Sequence, residues 1–395
     1  MTRFSSNIAA LQPSATIAVS SRVKQLISEG RDVLNLCAGE PDFNTPEIIS
    51  EAAVKAIHEG QTRYTPAPGI PALRAAIASD IERFSASGQE FDPRGVVVSA
   101  GVKQALFNVL FSLFGEGDRV LIPAPYWTSY PELVQIARAE PVIVDGDPEN
   151  DYKVDPARLA AAAAEGGASA ILLNSPSNPT GATYTLEELR AIAEWATEND
   201  VWILSDEIYR RIYFEGPIAP GIFDLPAGLT RKAVLLDGTS KAFAMTGWRI
   251  GFSYTAPEVA EKLSALQSQT TSNASTPAQY AALAAYQLRD EVDAAVEEMR
   301  AAFQRRRDLV LDLFAKQLPG VSVLVPKGAF YLWVNGERFA RDGEGSVQFC
   351  ERLLDEYGVG VVPGEAFGDD RYFRMSFAYS EDTLRDAVNR LEKAL

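Results

Sequence analysis

The sequence has very few of the residues on which several common catalytic and metal sites depend. Histidine occurs once, at His58, so a Ser-His-Asp triad would need that single side chain as its base. Cysteine occurs twice, at Cys37 and Cys350, too few for a disulfide framework or a His/Cys zinc cluster. We expect His58 on a helix surface, both thiols buried and reduced, and no bound metal.

Long apolar runs, excess positive charge and nucleotide-binding motifs are also missing. No apolar run reaches the roughly 18 residues of a membrane span, and the start, MTRFSSNIAA, is too polar for a signal peptide. Acidic residues outnumber basic ones 53 to 37, a net charge of −16, which disfavours nucleic-acid and anionic-membrane partners. Neither GxGxxG nor a Walker loop occurs. We expect a soluble cytoplasmic protein that binds neither nucleic acid nor membrane.

Apolar runs that alternate with helical patterns predict an α/β fold. Runs such as VWIL and AVLL are apolar at every position, as in strands of a mostly parallel sheet covered by helices on both faces. Helices are predicted over 102–114 and over 186–199, which the capping box Thr185–Glu188 opens. The predicted strands of this sheet are 96–99, 120–123, 141–144, 170–174, 201–205, 233–237 and 249–254.

A length of 395 residues favours two domains. The long charged helix predicted over 291–318 precedes an α+β pattern with strands at 321–325, 330–334, 359–362 and 372–377, a helix from Ser346 and a terminal helix. We predict an N-terminal arm and part of the small domain over 1–47, a large cofactor-binding domain over 48–290 and a small C-terminal domain over 291–395.

The most informative stretch is DGTSKAFAMTGWRIGFSY, at positions 237–254. Lys241 follows an apolar run in a turn rich in glycine, serine and threonine, where a solvated surface lysine is the alternative. Arg249 lies inside the apolar GWRIGF, where an unpaired guanidinium would be costly. A reactive amine and a guanidinium for a dianion are what a phosphorylated aldehyde cofactor requires.

Two further strand ends carry polar residues suited to such a cofactor. Asp206 closes the apolar VWILS, where a pyridinium N–H would meet its carboxylate, and Tyr209 could hydrogen-bond the phenolic oxygen. A helix N-cap at Asp206 and simple packing of Tyr209 are the alternatives. In NSPSNPTG, Asn178 could donate to cofactor or substrate, or belong to an ordinary turn.

A phosphate cradle and a stacking ring are predicted earlier in the chain. Residues Ala100, Gly101 and Val102 form a small-residue turn before a helix, and backbone N–H groups at a helix N-terminus bind phosphate. Trp127, in the loop PAPYWTSYPE, is suited to stacking on a heteroaromatic ring, with core packing as the alternative.

The joint order of these motifs resembles that of the fold-type I, class I pyridoxal-phosphate-dependent aminotransferases, and most closely the bacterial aspartate and aspartate/prephenate aminotransferases. The resemblance extends over essentially the whole chain, and NPTG together with SKAFAMTGWRIG is its most specific part. It implies pyridoxal 5'-phosphate as cofactor, reversible amino transfer between L-aspartate and 2-oxoglutarate, and a homodimer with shared active sites. Its other segments are PSATIAVS, AGEPDFNTP, YTPAPGIPALR, GVKQALFNVL, SDEIY, GAFYLWV, VVPGEAFG and FRMSFA.

The resemblance also assigns roles to individual residues. Lys241 would hold the cofactor as a Schiff base and act as general acid and base, and Asp206 would keep the ring protonated as an electron sink. Tyr209 and Asn178 would bond the ring oxygen, and Trp127 would stack on the ring.

Other residues would hold the phosphate and the substrate. Arg249 and the turn at 100–102 would bind the phosphate, which Tyr64 would reach from the neighbouring subunit. Arg374 would clamp the substrate α-carboxylate, and Gly39 would bring backbone close to the substrate.

Recognition of the distal carboxylate is assigned by hypothesis. A second carboxylate needs a cation or strong donors, and Lys103 in the first helical turn is our candidate, helped by Ser14 and Thr16 if the N-terminal segment folds over the site. A solvated helix lysine is the alternative reading of Lys103.

Two positions depart from the family pattern. Gly238 stands where many relatives carry a phosphate-binding serine, so Thr239 or Ser240 would have to substitute. Gln12 stands where prephenate-accepting relatives often carry lysine, which puts prephenate in doubt.

Other functions stay open at this point. The same fold supports prephenate, aromatic or alanine transamination, or a β-lyase. A non-catalytic regulator would need a DNA-binding module, for which the sequence before the first family motif is too short.

Overall fold

The computed structural model describes residues 5–9, 11 and 15–395, with the main chain alone at residues 6, 7, 15 and 16. The strands are β1 Leu34–Asn35, β2 Val96–Ser99, β3 Arg119–Ala124, β4 Glu140–Asp145, β5 Ala170–Asn174, β6 Trp202–Asp206, β7 Ala233–Gly238, β8 Gly251–Tyr254, β9 Val323–Leu324, β10 Tyr331–Asn335, β11 Val359–Gly360, β12 Val362–Pro363 and β13 Tyr372–Ser376. The helices are α1 Ser6–Ala9, α2 Ala15–Ser28, α3 Glu47–His58, α4 Pro71–Phe84, α5 Val102–Leu113, α6 Tyr130–Ile136, α7 Pro156–Ala163, α8 Leu186–Glu198, α9 Thr239–Ala242, α10 Pro257–Thr270, α11 Thr276–Gln287, α12 Arg289–Gln317, α13 Ser346–Tyr357 and α14 Glu381–Glu392.

The central sheet places the ends of several parallel strands side by side. Its order is β2-β8-β7-β6-β5-β3-β4. Strands β3 to β7 pair in parallel, whereas β8 is antiparallel to both β2 and β7. Asn174 at the end of β5 is in register with Asp206 at the end of β6, and Asp206 with Leu236 of β7. Side chains at these carboxyl ends therefore share one edge, where α/β sheets bind ligands.

Helices cover both faces of this sheet. Successive residues of a strand point to opposite faces, so Ile203 and Leu204 of β6 belong to two different hydrophobic clusters. On one face α5 packs through Leu106, Val109 and Leu110, which are fully buried. The sheet is thus buried on both sides, as the uniformly apolar runs predict.

A second sheet holds the C-terminal part of the chain. It is antiparallel in the order β12-β13-β10-β9, and the long helix α12 leads into it. In addition, β1 pairs in parallel with β11, so residues 34–35 lie with the C-terminal elements. This pairing agrees with a small domain that takes in N-terminal residues, while the division at residues 47 and 290 stays a prediction.

The predicted fold class is confirmed, with two local corrections. The strand predicted over 249–254 begins at Gly251, because Arg249 follows a 3-10 turn and adopts a left-handed φ of 57°. The strand predicted over 359–362 is two short strands, since β11 pairs with β1 whereas β12 pairs with β13.

The composition-based expectations for individual residues also hold. His58 is exposed at the end of α3, and Cys37 and Cys350 are free and buried. Among the helices of the described residues, none combines the length and the apolar character that crossing a membrane requires.

Candidate active site

A cavity of about 270 Å³ lies where the carboxyl ends of β5, β6 and β7 meet the start of α5 and β13. It brings together ten of the predicted site residues from distant parts of the chain. These lining residues are Gly39, Val102, Lys103, Trp127, Asn178, Asp206, Tyr209, Lys241, Arg249 and Arg374.

Asp206 lies at the floor of the cavity as the last residue of β6 and is 3% exposed. Its carboxylate accepts hydrogen bonds from the Tyr130 hydroxyl at 2.8 Å and the Ile208 N–H at 3.3 Å. Burial raises the pKa of Asp206 to about 6, and these two bonds oppose that rise. Residues 208–211 form a turn, so Asp206 does not cap a helix.

Lys241 reaches the cavity from α9, directly after β7. Its ammonium donates to the Gly39 carbonyl at 2.5 Å. Burial lowers the pKa of Lys241 to about 8, helped by Arg249 and Arg374 and opposed by Glu40 and Asp206. About a tenth of this amine is therefore neutral, and so nucleophilic, at pH 7.

Arg249 lies against the turn that precedes α5. Its guanidinium donates to the Thr246 carbonyl at 2.9 Å and the Ala100 carbonyl at 3.4 Å. Gly101 has a φ of +87°, and a Cβ there would collide with the Arg249 guanidinium. The turn therefore needs glycine for its conformation, and a larger residue would also push the Arg249 guanidinium aside.

The N–H groups of this turn are only partly available to a ligand. Ala100 donates to Gln104 Oε1 at 2.5 Å, and Gly101 donates to the Ser99 carbonyl at 2.8 Å. Of the predicted cradle, Val102 lines the cavity. An anion here would meet the start of α5 and the Arg249 guanidinium.

Arg374 is 1% exposed and enters the cavity from β13. It donates to Asn178 Oδ1 at 2.8 Å and to the Cys37 carbonyl at 2.7 Å, and its Nε finds no partner among the described residues. Its guanidinium carbon lies 4.3 Å from the Tyr331 ring centroid. These partners are neutral, so the charge remains available for a carboxylate.

Trp127 and Lys103 form one wall of the cavity. The Lys103 ammonium lies 4.9 Å from the Trp127 ring centroid, within cation–π range. Burial, and then the Arg249 charge, lowers the pKa of Lys103. Trp127 also meets the Tyr130 ring edge-on at 5.3 Å, so Trp127 takes part in packing as well as facing the cavity.

Beyond the turn residues Ala100 and Gly101, which do not line the cavity, three predicted residues remain to be located. Tyr64 is 91% exposed and stands away from its wall. Ser14 lies outside the described residues, and Thr16 is described only as main chain of α2, next to Ile17, which does line the cavity.

Gly238 stands where many relatives carry a phosphate-binding serine, and the structure distinguishes the two hydroxyl residues proposed to replace that serine. Ser240 lines the cavity, whereas Thr239 is fully buried and donates to the Ile250 carbonyl at 3.2 Å. Ser240 is therefore the hydroxyl available to a ligand.

The family model described as aminotransferase class I and II matches residues 31–391. The chain is 42% identical to an aspartate aminotransferase of Geobacillus stearothermophilus, over 99% of this chain and 98% of the relative. It is 41% identical to the aspartate/prephenate aminotransferase of Thermus thermophilus, over 100% and 99% of the two chains. The solved structure of Thermus thermophilus aspartate aminotransferase with maleate covers all of both chains, with 40% identity and a TM-score of 0.93.

The chain belongs to the class I and II aminotransferase family. Its cavity suits the cofactor that this family implies, pyridoxal phosphate. Arg249 and the start of α5 can take the phosphate, and Asp206 is a buried carboxylate available to a ring N–H. Lys241 has the lowered pKa that an amine needs to attack an aldehyde.

Sequence reasoning missed two tyrosines of the aminotransferase cavity. Tyr130 bonds Asp206, and Tyr331 bonds the Tyr209 hydroxyl at 2.9 Å. Tyr130 lies three residues after Trp127 in PAPYWTSYPE, and Tyr331 lies in GAFYLWV. Their positions inside recognised motifs were the available signal.

Proposed function

We propose that this aminotransferase exchanges the amino group between L-aspartate and 2-oxoglutarate, with pyridoxal phosphate held on Lys241. The observation that supports the proposal best is the meeting of an amine, a buried carboxylate and two guanidinium groups in one cavity. They belong to Lys241, Asp206, Arg249 and Arg374.

The cofactor-facing residues would hold it in one orientation. Asp206 would accept a hydrogen bond from the ring nitrogen, and Trp127 would offer its flat face to the ring. Tyr209 and Asn178 would donate to the ring oxygen, and Arg249 would pair with the phosphate. When bound, pyridoxal phosphate supplies an electron-withdrawing ring that stabilises negative charge on the substrate α-carbon.

Lys241 would move the proton that transamination requires. Its neutral Nζ can accept a proton from the α-carbon of the amino acid. In the second half-reaction its protonated form can give a proton to the α-carbon of the new amino acid. The pKa of about 8 suits both steps, since the amine can gain and lose a proton near neutral pH.

The substrate would be held by its two carboxylates. Arg374 would bind the α-carboxylate with its planar fork, and Gly39, which lines the same cavity, would contact it through backbone. Lys103 would bind the distal carboxylate, together with Ser14 and Thr16 of the N-terminal segment. A dicarboxylic amino acid is favoured because two cations besides those assigned to the cofactor, Arg374 and Lys103, line the same cavity.

The functional unit would be a cytoplasmic homodimer. Tyr64 is a large aromatic residue left 91% exposed, which suits a residue that reaches the partner subunit's phosphate. The isolated chain would then hold an incomplete site.

A coupled assay with aspartate and 2-oxoglutarate tests the proposed substrates. We expect oxaloacetate to form. Among amino donors, the kcat/KM for aspartate should exceed those for alanine and aromatic amino acids. Among amino acceptors, the kcat/KM for 2-oxoglutarate should exceed that for prephenate. The notable rival is prephenate, which Gln12 disfavours. A panel in which another pair is used at least tenfold better would contradict the proposed substrates and leave the family assignment intact.

A further inference from the structure

Tyr331 contacts both halves of the proposed site. It is the first residue of β10 and is 1% exposed. Its hydroxyl lies 2.9 Å from the Tyr209 hydroxyl, and its ring faces the Arg374 guanidinium at 4.3 Å. Tyr331 thus joins a residue that faces the cofactor to one that faces the substrate.

The second sheet fixes the contact between Tyr331 and Arg374. In the pairing of β10 with β13, Trp333 is opposite Arg374 and Tyr331 is opposite Ser376. Tyr331 and Arg374 are therefore diagonal neighbours on one sheet face, within reach of long side chains. A buried guanidinium over an aromatic face gains cation–π attraction, while its N–H groups that are not donated to Asn178 and Cys37 stay available for a carboxylate.

Only one direction of the hydrogen bond between the two hydroxyls is possible if Tyr209 donates to the cofactor. Each hydroxyl has a single proton to donate. If Tyr209 donates its proton to the ring oxygen, Tyr331 must be the donor between the two tyrosines. Burial raises the pKa of Tyr331, so its hydroxyl keeps that proton at neutral pH. A donated bond to Tyr209 in turn strengthens the bond that Tyr209 donates.

We propose that Tyr331 is a positioning residue with two separable roles: its hydroxyl orients and polarises Tyr209, and its ring holds Arg374 in place for the substrate carboxylate. The inference rests on the proposed function, because Tyr209 and Arg374 are taken as the groups that meet cofactor and substrate. Neither role requires Tyr331 to touch the reacting atoms.

Two substitutions separate the roles. Tyr331→Phe keeps the ring and removes the hydroxyl, whereas Tyr331→Leu removes both. In the loaded enzyme, we expect Tyr331→Phe to raise the pH midpoint of the cofactor's visible absorbance change by about half a unit. The midpoint should move upward because the ring oxygen then receives a weaker hydrogen bond and carries more negative charge. That charge stabilises the titrating proton beside it, which is therefore lost only at higher pH.

Substrate binding should respond only to loss of the ring. We expect Tyr331→Leu to raise the KM values of aspartate and 2-oxoglutarate, and the Kd of maleate, by about tenfold. Tyr331→Phe should keep all three within about twofold of wild type. Tyr184→Phe is the matched control, since that buried hydroxyl bonds the Val154 N–H away from the cavity.

A double variant tests the connection to Tyr209 itself. Tyr209→Phe combined with Tyr331→Phe should give the same midpoint as Tyr209→Phe alone, because the Tyr331 hydroxyl acts through Tyr209. The inference is overturned if Tyr331→Phe titrates like wild type and Tyr184→Phe, or if Tyr331→Phe raises KM as much as Tyr331→Leu. A wild-type protein without cofactor absorbance or amino exchange would contradict the proposed function and the inference together.

Discussion

Charged side chains in the cavity differ from buried charges elsewhere in the protein. Arg210 pairs with Asp224 at 2.7 Å, and Lys153 pairs with Glu188 at 2.6 Å. Among the described residues, none of the charged groups at 206, 241, 249 and 374 takes part in an ion pair. Asp206 and Arg374 are buried, and unpaired buried charge is costly. Their meeting with half-buried Lys241 and exposed Arg249 in one cavity therefore indicates a site that a charged ligand completes.

At the residue scale, Tyr130→Phe tests how Asp206 is kept ionised. Burial raises the pKa of Asp206 to about 6 even though the hydrogen bond from the Tyr130 hydroxyl opposes that rise. Without that bond we expect the pKa of Asp206 to rise by about one unit, so more of the carboxyl is protonated at pH 7. The pH below which the apo-protein loses affinity for pyridoxal phosphate should move upward equally. Calorimetric titrations that give one profile for both proteins would rule this out.

Lys103→Ala tests the distal-carboxylate hypothesis at the same scale. Because only aspartate carries a second carboxylate, we expect its kcat/KM to fall by at least about tenfold while that for alanine changes little. Lys55→Ala serves as the control, because the Lys55 side chain is exposed on α3. Equal losses for the two amino acids would defeat the hypothesis.

At the element scale, the turn between β2 and α5 can be tested with a pair of glycines. Gly101 and Gly117 both have positive φ, +87° and +94°, but a Cβ on Gly117 meets nothing within 4 Å. Alanine should destabilise the protein at both positions, by about 1–3 kcal/mol at Gly101, whose ψ of 163° lies in a region that is essentially restricted to glycine. Only Gly101→Ala should also displace Arg249, and weaken pyridoxal phosphate binding by about tenfold.

Urea unfolding and cofactor titration distinguish the two effects. Equal cofactor affinities for Gly101→Ala and Gly117→Ala would show that the Arg249 contact is irrelevant to phosphate binding.

Elements with strong apolar patterns were predictable, while turns and cross-sheet contacts were not. The strands at β2 and β5 begin and end where predicted, because their runs are buried on both faces. The apolar neighbours of Arg249 predict a strand at that position and do not reveal its left-handed turn. The roles of Tyr130 and Tyr331 depend on contacts with residues 76 and 122 positions away, which no local pattern encodes.

At the scale of the whole molecule, the site depends on two sheets lying together. Arg374 bonds Asn178, and the Phe367 carbonyl accepts the Tyr126 N–H at 3.1 Å, next to Trp127. A substrate that binds Arg374 therefore binds a residue that connects the second sheet to the central sheet. These contacts explain why residues from the first and last parts of the chain are needed at one cavity.

The proposed dimer predicts complementation between inactive variants. If Tyr64 completes the partner subunit's site, a hybrid of Tyr64→Ala and Lys241→Ala subunits has one site with both changes and one with neither. Random mixing should then restore about a quarter of wild-type activity. Analytical ultracentrifugation measures whether the protein is a dimer or a monomer. A monomer, or a mixture no more active than its components, would contradict the shared site.

On the proposed function, Lys241 holds pyridoxal phosphate beside Asp206 and Arg249. The most direct test is the absorbance spectrum of Lys241→Ala after gel filtration, with Lys103→Ala as a control that keeps its visible band. We predict that Lys241→Ala loses the visible band of the bound cofactor and loses amino exchange. A Lys241→Ala protein with an unchanged visible spectrum would contradict the claim.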